Sequence, residues 1–284
     1  MILKKYFSYI ERTGFGMRIN KLFSNLGICS RKETNWLIEE KRVKVNGEFC
    51  IKGQWVEPDE DEIFIDDKPI KPKEKVYIAL NKPVGIICTV SNEVKNNIID
   101  FMNYSDYIFP VGRLDKESQG LIIMTNDGDL ANKILESENN HEKEYIVTLN
   151  KNFDEKFIER MEQGVEISVR ESTGVKRISD IAGARIIKND KEFIRQEVRL
   201  DELKQEKTKN SIITRQCIVK GINENTFKII LTQGLDRQIR KMCASLGYKV
   251  IKLERIRIMN IKLDGIETGK WRKLTHEEIT ELKK

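Results

Sequence analysis

One carboxylate in this chain is placed as a catalytic group would be. In PVGRLDKESQGLIIMTNDGDL, residues 110–130, Asp115 sits between a Gly-Arg-Leu turn and a strongly apolar run, which favours a fixed, partly desolvated side chain. Such a carboxylate can act as a nucleophile or stabilise developing positive charge. On residue types alone, Arg113 and Asp115 would more often form a surface turn with a local ion pair worth little. A second group of residues is cationic. Arg18, Lys21, Arg31, Lys32, Lys41, Arg42 and Lys44 cluster near the N-terminus, either as one face for phosphates or as an ordinary solvated surface. Other chemistries are poorly supplied. The two histidines, His141 and His276, lie far apart, and the five cysteines lack C-x-x-C spacing, so no disulfide framework, metal centre or His-based triad is expected.

The elements that position these residues can be read from periodicity. Ile19, Leu22, Phe23 and Leu26 recur at helical spacing and Gly27 stops the run. Ser30 and Glu33 make a capping-box pattern for a second helix running to about residue 40. Val43 and Val45 then alternate with Lys44 before the turn pair Asn46-Gly47, which predicts a hairpin. Residues 66–75, DDKPIKPKEK, carry two prolines and read as a linker. Beyond it, strand-like runs cover residues 76–80, 121–125, 145–149, 227–232 and 248–258. Helical patterns lie between them, one around Leu130, Ile134 and Leu135 and another around Ile239, Met242, Cys243 and Leu246. The class is therefore α+β. Residues 170–210 give no clear period.

With 39% hydrophobic and 34% charged residues the chain is expected to fold as a soluble protein. No run of 18 apolar residues occurs, and Glu11 and Arg12 interrupt the N-terminal stretch, so a cytoplasmic, membrane-free location is expected. A net charge of +6 and a pI near 8.9 favour a polyanionic partner only if concentrated on one surface.

Two families are recognisable in these segments. MRINKLFSNLGICSRKETNWLIEEKRVKVNG resembles the S4 RNA-binding module, which implies RNA contact through Arg18, Lys21, Ser30, Arg31, Lys32, Arg42, Lys44 and Asn46. GRLDxxSxGL is similar to the central motif of the pseudouridine synthases, and LNKPVG before it and KEYIVTL and LTQGLDRQIRKM after it stand in the order that family shows. HEKEYIVTL, QGLDRQIRKMC and KLERIRIMNIKLDGI are most similar to the RsuA/RluB/RluF branch, in particular to its RluF-type enzymes of 23S rRNA.

The resemblance implies an N-terminal extension at 1–16, an S4 domain at 17–65, a linker at 66–75 and a mixed-sheet catalytic domain at 76–284 with a charged insertion near 171–225. It implies an isomerase that converts a uridine of ribosomal RNA, most plausibly of the large subunit, to pseudouridine. A small-subunit rRNA or a tRNA is the alternative substrate. Asp115 is then the catalytic carboxylate, Arg240 the guanidinium that keeps it ionised, Tyr145 the residue that stacks on uracil and assists proton transfer, and Arg113 the side chain that holds the opened RNA position. Lys82 and the turn Pro83-Val84-Gly85 would brace the catalytic loop. Neither a cofactor nor a metal is required, a monomer is expected, and Met17 is a candidate start. Two rival readings are a non-catalytic RNA-binding assembly factor and a hydrolytic nucleosidase.

Overall fold

The computed structural model describes residues 16–91, 93–135, 141–169 and 210–284. The N-terminal extension before residue 16 and most of the charged insertion lie outside the described residues. The described chain forms two units, one from residues 16–135 and 260–284, the other from 141–169 and 210–259.

The first unit opens with β1 (Met17–Arg18) and α1 (Ile19–Asn25), whose stripe of Ile19, Leu22 and Phe23, continued by Leu26, is buried. Gly27 ends the helix at φ +69°, and a Cβ there would meet the Asn126 amide nitrogen at 2.7 Å, so both conformation and close approach demand glycine. In α2 (Arg31–Glu39) the Ser30 hydroxyl accepts the Glu33 N–H, which is the first half of the expected capping box, while the Thr34 hydroxyl donates to the Ser30 carbonyl. β2 (Val43–Val45) and β3 (Glu48–Phe49) are joined through Asn46 and Gly47 at φ 51° and 86°, as a tight hairpin turn requires. β4 (Trp55–Val56) pairs with β1, while β5 (Ile63–Ile65) and β6 (Lys68–Pro69) complete a sheet in the order β3-β2-β5-β6. Thus Lys68–Pro69, within the span read as a linker, is a strand, and Ile70 beside it is buried in the module's core.

The module continues into β7 (Tyr77–Lys82), α3 (Ile98–Met102), β8 (Phe109–Pro110), β9 (Gln119–Thr125) and α4 (Gly128–Leu135). Every residue of β7 is buried, as are all but the first of β9, and the two run antiparallel from Tyr77–Thr125 to Lys82–Gly120. Their near-continuous apolar character follows from burial on both faces. Polar bonds join this part to the module. Lys75 Nζ donates to the Asn25 carbonyl at the end of α1, Asn25 donates to Asp129, and the Lys73 N–H donates to the Leu26 carbonyl.

The second unit contains β10 (Lys143–Leu149), α5 (Glu155–Gln163), β11 (Glu166–Val169), β12 (Asn210–Ile213), β13 (Ile218–Asn223), β14 (Thr226–Leu231), α6 (Gln238–Ser245) and β15 (Val250–Ile258). β13, β14, β10 and β15 form neighbouring antiparallel strands, and β11 pairs with β12 as a separate ribbon. Phe157 and Met161 from α5 and Ile239, Met242 and Cys243 from α6 share one core with Val147, Leu149, Phe227 and Ile229 of the sheet. Residues 210–223, inside the span read as an insertion, thus supply β12 and the sheet strand β13.

The chain then returns to the first unit with β16 (Ile261–Lys262), β17 (Trp271–Lys273) antiparallel to β7, and α7 (His276–Leu282), which starts at a complete Thr275–Glu278 capping box. The α+β class expected from the sequence is the one formed. No described helix is long and apolar enough to cross a membrane.

Candidate active site

The turn between β8 and β9 is held from several sides. The Val111 N–H donates to the Ile123 carbonyl, the Leu114 N–H reaches Cys88 Sγ at 3.4 Å, and the Ser118 N–H closes onto the Asp115 carbonyl at 3.0 Å. Leu114 is buried and Ser118 fully so, and between them the Asp115 side chain is half-buried at the head of β9. The buried anchors on either side fix the backbone, while the carboxylate keeps partial access to solvent. Arg113 is exposed and makes no ion pair among the described residues, so the local Arg113–Asp115 pair weighed from the sequence does not form.

The residues before α3 brace this turn. Lys82 is completely buried, and its ammonium donates to the Pro83 and Ile86 carbonyls at 2.9 Å each, closing the Pro-Val-Gly turn. Gly85 N–H then donates to the Lys116 carbonyl at 2.8 Å. A buried ammonium is tolerated only where such partners replace water.

In the second unit Tyr145 is half-buried on β10, opposite Ile229 on one neighbour and Arg255 on the other, and packs against the core beneath. Arg240 projects from α6 beside the buried Ile239 and Met242, and its guanidinium donates to the Val250 carbonyl at 3.2 Å. The loop leading to that helix is tied by Gln238, whose side chain accepts the Leu235 N–H, and Arg237 at the helix start takes φ 52°. A non-glycine residue held there stores strain of about 1 kcal/mol or more. Four cysteines are inert for a simple reason: burial pushes the thiols of Cys29 and Cys50 up to about 11 and those of Cys217 and Cys243 up to about 12.

The cations expected on the N-terminal module fall into two sets. Arg18, Lys21 and Arg31 are exposed and make no ion pair among the described residues, and Lys32 meets only the exposed Glu93 at 3.4 Å. Arg42, in contrast, holds Asp66 through Nε and Nη2 at 2.8 and 2.6 Å, and Lys44 holds Asp67 at 2.7 Å. Asn46 is bound to Asp61 and to the Glu62 N–H, and the Ser30 hydroxyl is used as a helix cap. The partners of Arg42, Lys44 and Asn46 come from residues 61–67, too far along the chain for local spacing to reveal.

Sequence reasoning missed two residues of the second unit. Arg255 is only 3% exposed within β15, and Lys143 lies two positions before Tyr145. Burial and then the Arg255 charge lower the Lys143 ammonium to about 8. The available signal was a set of cations inside otherwise apolar strands, KEYIVTL and KLERIRI.

Similarity to known proteins gives the class of this chain. The pattern of the RNA pseudouridylate synthases matches residues 76–245, and the chain belongs to that family. It is 42% identical to the Dual-specificity RNA pseudouridine synthase RluF of Escherichia coli strain K12, across 94% of this chain and 78% of that protein. It is 27% identical to the Ribosomal large subunit pseudouridine synthase B of Bacillus subtilis strain 168, across 94% of this chain and 95% of that one. Among solved structures, a pseudouridylate synthase superposes with a TM-score of 0.58 at 26% identity, covering 94% of this chain and 99% of the other. The chain is thus an isomerase that acts on RNA, within the RsuA/RluB/RluF group of its family.

Proposed function

We propose that this chain converts one uridine of ribosomal RNA, in the large subunit, to pseudouridine, with Asp115 as its catalytic carboxylate. The observation that carries the reading is the Asp115 turn, braced through Cys88 and its own Ser118 bond, inside the segment matched to the family. The names of the relatives, one an RluF and one a large-subunit synthase, favour ribosomal RNA.

The isomerisation breaks the N1–C1′ bond, turns the base, joins C5 to C1′ and moves the C5 proton so that the atoms balance without an added reactant. Asp115 supplies the negative charge that answers positive character at the ribose or at the base as the bond opens. Tyr145 offers a ring to stack on uracil and a hydroxyl for the proton released from C5. Arg240 is assigned a cationic role in the same reaction, and Arg113, exposed at the turn, meets the RNA around the extruded nucleotide. The module of residues 17–65 acts as an S4-type RNA-binding domain in which Arg18, Lys21, Arg31 and Lys32 touch phosphates. Arg42 and Lys44, held by Asp66 and Asp67, meet RNA only in competition with those carboxylates, while Asn46 and Ser30 shape the surface. A cytoplasmic monomer fits these roles.

The test is pseudouridine mapping by carbodiimide modification and primer extension, on ribosomal RNA from cells with and without the gene. One site should vanish and return with the wild-type chain but not with Asp115→Asn. An unchanged ribosomal RNA, with tRNA examined in parallel, would overturn the ribosomal assignment, and intact pseudouridine in every RNA would favour a non-catalytic binding protein.

A further inference from the structure

Three large aromatic side chains stand out from the N-terminal module, and they differ in what lies over them. Trp36 is 49% exposed with the Arg42 guanidinium 5.6 Å from its ring centre, and Phe49 is 54% exposed with Lys44 Nζ at 5.3 Å. Both cations are in turn held by Asp66 and Asp67. Trp55 is 63% exposed, and neither a cation nor another ring lies over it among the described residues. An indole left open in this way is the kind of surface that a flat partner can cover.

The ribbon of β1 and β4 explains why Trp55 faces outward. Met17 lies opposite Val56 and Arg18 opposite Trp55. Met17 and Val56 join the module's core, so the next pair along the ladder points to solvent. Side chains directly opposite in an antiparallel pair have Cβ atoms about 5 Å apart, which brings Arg18 alongside the indole. The backbone beneath them is fixed. The Ile19 N–H donates to the Gln54 carbonyl at 2.9 Å, and the turn before Trp55 is closed by the Ile51 N–H on Gln54 Oε1 at 3.0 Å and by the Gln54 N–H on the Ile51 carbonyl at 3.1 Å. A platform held like this has little freedom left to lose on binding.

Charge is graded along the ribbon. Arg18 makes no ion pair among the described residues, and Lys21, exposed three residues further on in α1, makes none either. At the other end Glu57, two positions beyond Trp55, brings its Oε1 within 3.0 Å of where a Cβ on Gly16 would stand. An anion is therefore favoured on the α1 side of the indole and opposed on the Glu57 side. A nucleotide in a single strand offers both an aromatic face and a phosphate beside it, whereas a paired helix keeps its base faces inside its own stack. We propose that Trp55 is a stacking platform for an unpaired base of the RNA, with the adjoining phosphate taken by Arg18. The proposal rests on the reading of this module as RNA-binding and adds to it a preference for single strands over duplex.

The test uses the full chain, an oligouridylate of about ten nucleotides, and an RNA duplex of equal length. With Trp36→Phe and Trp271→Phe, Trp55 becomes the sole tryptophan of the chain. Its emission should be quenched by oligouridylate and far less by the duplex. In the otherwise wild-type chain, Trp55→Ala should weaken oligouridylate binding about tenfold, and Trp55→Phe should recover most of it. The salt slope should stay the same in both, because no cation is lost, whereas Arg18→Gln should lower it by about one. Emission unmoved at saturating oligouridylate, equal quenching by the duplex, or wild-type affinity in Trp55→Ala would each overturn the platform. An unchanged slope in Arg18→Gln would instead strike the phosphate reading of Arg18 itself, so the two failures are told apart, and none of these readouts needs turnover.

Discussion

The turn that presents Asp115 and the module that presents Arg18, Lys21 and Arg31 use charge in opposite ways. At the turn, buried Leu114 and Ser118 and several backbone bonds fix one half-buried carboxylate. On the module, exposed cations stand on short elements with water around them, and two more are already held by Asp66 and Asp67. Chemistry at a single bond needs one group whose position and ionisation are fixed, whereas attraction to a polyanion sums over many weak contacts and tolerates the loss of any one. The difference is therefore visible in how each region should respond to substitution.

The largest effect is expected at the turn. Asp115→Asn keeps the shape and removes the charge, so pseudouridine formation should fall by about a thousandfold or more while RNA binding and melting temperature stay near wild type. Tritium release from C5-labelled RNA measures the first, and turnover close to wild type would erase the contrast altogether.

Next in size is a charge that is buried yet outside the proposed chemistry. Burial works to raise the Glu144 carboxyl, but bonds from Lys228 and Arg257 outweigh it and hold Glu144 below its usual range. Its stabilising contribution is thus present above the ordinary glutamate pKa and is lost as pH falls through the lowered folded value. Glu144→Gln should cost about 2 kcal/mol at neutral pH and flatten the stability loss in acid, as denaturant melts across pH 3–7 would show. Equal acid sensitivity in both proteins would mean that the pair contributes nothing.

Smaller still is the effect of the module's exposed cations. Changing Arg18, Lys21 and Arg31 together to Gln should reduce the salt dependence of RNA binding by about two to three counterions, with kcat at saturating RNA unchanged. An unaltered salt slope would remove these residues from the interface. The smallest change is expected from Asp66→Asn, which frees Arg42. Because the Arg42–Asp66 pair is exposed, stability should shift by less than about 1 kcal/mol, and RNA affinity should rise slightly. A fall in affinity would show that the pair shapes the binding surface instead of competing with RNA.

Much of this organisation could be read from the residues. The Asp115 turn, the helices α1 and α2 and the Asn46-Gly47 hairpin carry local signals, and β7 and β9 carry the apolar runs Tyr77–Leu80 and Leu121–Met124 because they are buried on both faces. Other features depend on partners distant in sequence. β13 has a single buried residue, Val219, while Ile218 and Ile222 are exposed, so its apolar positions do not trace the buried face of a strand. Asp66 and Asp67 look like linker residues until the fold returns them to Arg42 and Lys44. An extra residue in the β15–β10 ladder, Ile256, leaves no local trace either, since KLERIRI reads as a regular strand and only the register shows that Arg257 lies opposite Glu144 and Arg255 opposite Tyr145.

The docking of α1 bears on the order in which the chain is made. The module's own strands and helices are complete once residue 70 has been synthesised, but the end of α1 finds its polar partners later. The Leu26 and Asn25 carbonyls wait for Lys73 and Lys75, Gly27 packs on Asn126, and the Asn25 amide waits for Asp129. During translation the module can therefore fold early, yet the end of its first helix remains open until some sixty further residues have emerged. The exposed Arg18, Lys21 and Arg31 are in this way displayed before the Asp115 turn, upstream of Asp129, has been set in place.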